Sequence, residues 1–103
     1  MAINGCELKL SWEGDVPAAL DRAAETLQGL GYTVKARGAS SLELAFKGAI
    51  FTANPEKMRH TLSVDVYGGV WHFQYSTGLI ASVWSERDVA WATARAQSVI
   101  DAL

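Results

Sequence analysis

Apolar and polar residues alternate with a period of two over five stretches of this chain, and with a helical period over two. In the first stretch, Cys6, Leu8, Leu10 and Trp12 share one side, while Glu7, Lys9 and Ser11 share the other. That pattern predicts a half-buried strand over 6–12. Gly14 and Asp15 interrupt it. Asp15 suits a helix N-cap, and Pro17 suits the first turn, where its missing N–H costs nothing. Val16, Leu20, Ala23, Leu27 and Leu30 then recur at helical spacing and predict one buried stripe. Gly31 follows where a left-handed residue commonly ends a helix.

Alternation resumes over 32–37 and 41–47, with Gly38, Ala39 and Ser40 as a three-residue hairpin loop. The register this predicts sets Ala36 opposite Leu42, Val34 opposite Leu44 and Tyr32 opposite Phe46. On the other face it sets Lys35 opposite Glu43, a favourable charge pair. A second hairpin joins 60–67 to 70–77 through Gly68 and Gly69, a two-residue turn signal. It pairs Val66 with Trp71, Val64 with Phe73 and Leu62 with Tyr75 on the apolar face, and Asp65 with His72 and Ser63 with Gln74 on the polar one. The last element is a helix from about Ser85, where Ser85 and Asp88 suit a capping box and Trp84 and Val89 a hydrophobic staple. Val89, Ala92, Ala96, Val99, Ile100 and Leu103 form its predicted buried stripe, and the two alanines permit close approach to a sheet.

The predicted order is β-α-β-β-β-β-α. Every strand keeps a polar side, represented by Lys9, Lys35, Arg37, Glu43, Lys47, Ser63, Asp65, His72 and Gln74. A parallel sheet would be covered on both faces, so the strands predict an antiparallel sheet. Both helices then belong on its single apolar face, giving an α+β two-layer sandwich. This order resembles that of the TATA-binding-protein-like fold and, in shortened form, that of the helix-grip lipid-binding domains. The resemblance spans the whole chain but is one of element order, so it carries over no functional residue.

The 103 residues fit a single domain, 1–103, with one core. A formal net charge of −2 points to neither nucleic acid nor an anionic membrane. One cysteine, Cys6, excludes an intrachain disulfide. The N-terminal residues lack the pattern of a signal peptide, and no apolar run approaches the roughly 18 residues of a membrane span. The expected compartment is the cytoplasm.

Two segments do not read as polar loops. Gly48, Ala49, Ile50 and Phe51 follow the third strand, and the run 78–84, with Leu79, Ile80, Val83 and Trp84, follows the fifth. Alternating strand directions bring both departures, and the start of the last helix, to one end of the sheet. Lys47, Lys57, Arg59, His60 and Arg87 are close in sequence. Both segments could extend the strands past a glycine bulge and complete the core. They could instead form an apolar mouth for a hydrophobic ligand, a membrane surface or a partner. Trp91 lies off the buried stripe of the last helix, where it could anchor an interface, lean over a loop or stack with Arg95.

Catalytic constellations are weak. Asp65 and His72 face each other with Ser63 and Ser76 on the same side, but a flat wet sheet provides no oxyanion site or pocket. Parity separates His60 from His72, so the two histidines do not converge on a metal. Cys6 is on the apolar side of its strand. No phosphate-binding glycine motif is present, and no cofactor is implied. Tyr67 is the single aromatic on a weakly basic polar face, too little for a nucleic-acid stacking platform. The reading that results is a non-enzymatic binding module. Ile50, Phe51, Leu79, Ile80, Val83 and Trp84 would meet a lipid-like ligand or membrane, and Lys57 and Arg59 an anionic head group. The alternative is a protein-interaction or homo-oligomerisation domain in which that end, Trp91 or an edge strand is covered by another chain.

Overall fold

Each alternating stretch becomes a strand, because a strand can bury one face while its backbone is satisfied by its neighbours. The computed structural model describes residues 5–48, 59–76 and 86–103. The elements are β1 (Gly5–Ser11), α1 (Val16–Gly29), β2 (Tyr32–Arg37), β3 (Ser41–Phe46), β4 (His60–Tyr67), β5 (Val70–Ser76) and α2 (Glu86–Asp101). The strands form one antiparallel sheet in the order β1-β5-β4-β3-β2. Helix α1 lies against β2 and β3, α2 against β1, and the helices touch each other. This is the α+β architecture expected from the alternation.

The core is the apolar parity of the sheet closed by the helical stripes. Leu42, Leu44, Leu62, Val64, Trp71 and Phe73 meet Leu20, Ala23 and Leu27 from α1 and Ala92, Ala96 and Val99 from α2. Full burial of each large apolar side chain contributes about 1.5–3 kcal/mol. Two predicted stripe residues fall outside it. Leu30 is 38% exposed, because it is the C-cap of α1 and has left helical geometry, with φ −94° and ψ 5°. Val89, in the first turn of α2, is 36% exposed. Asp15 occupies the N-cap of α1 in extended geometry, but its side chain makes no capping bond. Its carbonyl accepts from the Ala19 N–H at 2.9 Å. The predicted cap at Ser85 and the Trp84 half of the staple lie outside the described residues.

The second hairpin has the predicted register throughout, including Asp65 opposite His72 and Ser63 opposite Gln74. Gly68 and Gly69 both take positive φ, 61° and 73°, which matches the twist of the flanking strands.

The first hairpin differs in its outer half. The Gly38 N–H bonds to the Ser41 carbonyl at 3.0 Å, so Ala39 and Ser40 form a two-residue turn in place of the expected three. Ala36 consequently faces Glu43 and Arg37 faces Leu42. A bulge between Val34 and Ala36 absorbs the extra residue, Lys35, and returns the ladder to the expected pairs Val34 with Leu44 and Tyr32 with Phe46. The slip reverses parity beyond the bulge. Lys35 therefore has no partner in the ladder, and Arg37 joins the helix side rather than the polar face. There its Nη2 donates to the Pro17 carbonyl at 3.0 Å and its Nη1 to the Asp21 carboxylate. The strap ties the end of β2 to the start of α1.

The Gly68 turn is testable without changing any packing, since nothing lies within 4 Å of an added Cβ. Gly68→Ala should cost about 1 kcal/mol through its positive φ alone, read by urea unfolding, and a D-alanine at that position should restore the loss. Arg37→Ala should cost at most about 1 kcal/mol in the same assay, because the Asp21 pair is solvent-screened.

Candidate functional site

The chain leaves β3 at Phe46 and β5 at Ser76, at the end of the sheet where β2 and β4 begin. One transverse row of the ladder crosses that end: Tyr32 faces Phe46, and Phe46 faces His60. All three are on the parity that faces the helices. Tyr75 comes from the next strand, and Trp91 descends from α2. The Phe46 and His60 rings stack with centroids 5.2 Å apart. The Trp91 ring meets His60 edge-on at 5.8 Å and lies 5.9 Å from Tyr75.

Inside this cluster the Tyr32 hydroxyl and His60 Nε2 are 2.5 Å apart. His60 is only 3% exposed and Tyr32 4%. A buried imidazole and phenol would be costly alone, and the bond between them offsets much of that cost. Burial pushes the Tyr32 hydroxyl up to about 12, against a smaller downward pull from the Arg95 cation. The protonated phenol can donate to Nε2, which leaves the imidazole's own proton on Nδ1. Arg95 sits over the Trp91 ring, 5.3 Å from its centroid, as a cation–π contact. The Tyr75 hydroxyl donates to the Ala92 carbonyl at 3.4 Å.

A phenol shifted upward is a poor base near neutral pH. The Tyr32 phenol therefore stays protonated near neutral pH and keeps its bond to His60 among apolar rings. Among the described residues, no set of three His, Cys, Asp or Glu side chains is placed to hold a metal ion.

Of the residues expected to form the site, Trp91 is half-buried within the aromatic cluster, and Arg59 is exposed immediately before His60. Ile50, Phe51, Lys57, Leu79, Ile80, Val83 and Trp84 lie outside the described residues. The pairing of Tyr32 with His60 does not follow from the alternation of either strand alone. Its signal is present in the chain: each is the polar-tipped residue that begins a strand on the apolar parity, and Phe46 lies between them.

The other face is open. His72, opposite Asp65 and Lys9, stacks under Tyr67 at 4.3 Å and 14°, while Tyr67 remains 64% exposed. Beside the bulge is a shallow depression of about 230 Å³ lined by Ala36, Gly38, Ser41, Leu42, Glu43, Ser63 and Asp65. Its two carboxylates have no cation or ring among that lining.

No family model, curated protein or solved structure matches this chain.

The Tyr32 environment has a measurable consequence. The unfolded phenol ionises near 10 and the folded one near 12. The resulting stability is fully present below pH 10 and is lost as pH rises through 12. The loss should amount to about 2 kcal/mol. Urea unfolding at pH 8.5 and pH 12 (roughly the limits of this window) should show that drop in the wild type and a smaller one in Tyr32→Phe.

Proposed function

We propose that this chain is a non-enzymatic, cytoplasmic binding module that takes an anionic, lipid-like amphiphile at the Tyr32 and His60 end of the sheet. The observation that carries this reading is the buried Tyr32 and His60 bond, enclosed by the rings of Phe46, Tyr75 and Trp91. It combines one polar anchor with apolar walls, the composition of sites that take amphiphilic small molecules. Arg95 adds a cation that acts on the Tyr32 hydroxyl, and Arg59 is the residue before His60. Both favour a carboxylate or phosphate head group.

The apolar sequences at 49–51 and 79–84 continue the chain from the strands that end here, so Ile50, Phe51, Leu79, Ile80, Val83 and Trp84 remain the proposed contacts for the ligand's apolar part, with Lys57 beside the head group. The element order, similar to that of the helix-grip lipid-binding domains, is compatible with this assignment. Among the described residues, no helix is long and apolar enough to cross a membrane.

Tryptophan fluorescence during titration with oleate, below its aggregation threshold, tests the proposal. Saturable binding is expected. Arg95→Gln should weaken it roughly tenfold, about 1.4 kcal/mol, and oleyl alcohol should bind less tightly than oleate. Absence of saturable binding, or equal affinity in Arg95→Gln, would contradict the assignment. Binding only to phosphatidylglycerol vesicles, with none to monomeric oleate, would move it to a membrane surface.

A further inference from the structure

The two edges of the sheet are built differently. At β2 the ladder is regular only from Tyr32 to Val34, the Lys35 bulge interrupts it, and Arg37 is drawn aside to α1. Such features keep an edge from accepting another strand. At β1 there is neither a bulge nor a displaced end. Its seven residues pair with β5 without interruption, from Gly5 with Ser76 to Ser11 with Val70. Among the described residues, nothing pairs with its outer side.

The backbone parity of that edge follows from one bond. The Trp12 N–H donates to the Gly69 carbonyl at 3.1 Å, and Trp12 faces Gly69 in continuation of the β1 and β5 register. Directly opposed residues in an antiparallel ladder alternate between exchanging both backbone bonds and exchanging none. Leu10, Leu8 and Cys6 therefore direct their backbone groups toward β5. Ser11, Lys9, Glu7 and Gly5 direct theirs to the open edge.

We propose that two copies of this chain pair through β1, antiparallel about a two-fold axis at Leu8, so that one continuous sheet crosses both. Three requirements select the same register. Centring on Leu8 overlaps the whole strand. It sets outward backbone groups against outward backbone groups, Glu7 with the partner's Lys9 and Gly5 with the partner's Ser11. It also makes the charges self-complementary, since each Glu7 meets the partner's Lys9 on the polar face. Moving the register by two residues either way sets Glu7 against the partner's Glu7, or Lys9 against the partner's Lys9, which is repulsive. On the helix side, Leu8, Leu10 and Trp12 are only half-buried, and the partner's β1 would cover part of their remaining apolar surface.

The occupant is thus a second copy rather than a foreign strand, because the edge carries its own charge complement. The interface lies at the sheet edge opposite β2, two strands from His60, and does not depend on the ligand proposed there.

Sedimentation velocity of the 103-residue chain over a concentration series reads the assembly. A monomer–dimer equilibrium is expected. Glu7→Lys and Lys9→Glu, both at exposed positions, should each weaken the dimer roughly tenfold or more, and the double exchange should restore it. Circular dichroism confirms that each variant is folded. Leu8→Cys in a Cys6→Ser background should form an interchain disulfide on mild oxidation, since residues opposed at a two-fold axis without a backbone bond lie closest together. A monomer at every concentration would overturn the proposal. So would a dimer indifferent to the single charge changes, or one that Leu8→Cys does not cross-link.

Discussion

A strand turns only every second side chain toward a given face, and that parity constraint governs this molecule. The apolar parity of β1 to β5 is covered by two helices, so each residue's burial follows from its place in the ladder. His60 is enclosed and His72 is only half-buried on the other face for this reason, although both are histidines in the same hairpin. The same rule brings Tyr32, Phe46 and His60 into one row, and it leaves a charged, regular edge at β1. Where parity breaks, at Lys35, a side chain expected on the polar face becomes a strap to the first helix.

The legible parts of the fold were those where two local signals agreed. The hairpin of β4 and β5 combines alternating sequence with two glycines whose positive φ selects one turn, so its register leaves no freedom. The hairpin of β2 and β3 lacks that second signal. Gly38, Ala39 and Ser40 permit either loop length, and the actual two-residue turn needs the Lys35 bulge to keep Tyr32 and Val34 in the core. Helix periodicity placed the buried stripes correctly in their middles but not at Leu30 or Val89, where the ends of helices depart from the stripe. The candidate site was only partly legible. Parity put His60 on the apolar face, but its bond to Tyr32 needed the lateral order of strands, which single-strand patterns do not contain.

Energetically, the molecule places a hydrogen-bonded polar pair at one end of its core. Along most of the sheet the core is aliphatic or aromatic, whereas the Tyr32 and His60 row places two hydrogen-bonding tips in a nearly dry environment. A purely apolar row would bury more favourable surface with no polar group to satisfy. Retaining the pair, beneath Trp91 and near the Arg95 cation, supports the recognition proposed for that end. The opposite, open face carries interspersed charges and one stacked pair, as expected of a solvated sheet surface.

Histidine modification by diethyl pyrocarbonate, followed by mass spectrometry, tests the parity of the sheet. His72 should react in the native protein, and His60 should react only when the protein unfolds. Comparable native reactivity of the two histidines would contradict the enclosed row, and with it the assignment of the site.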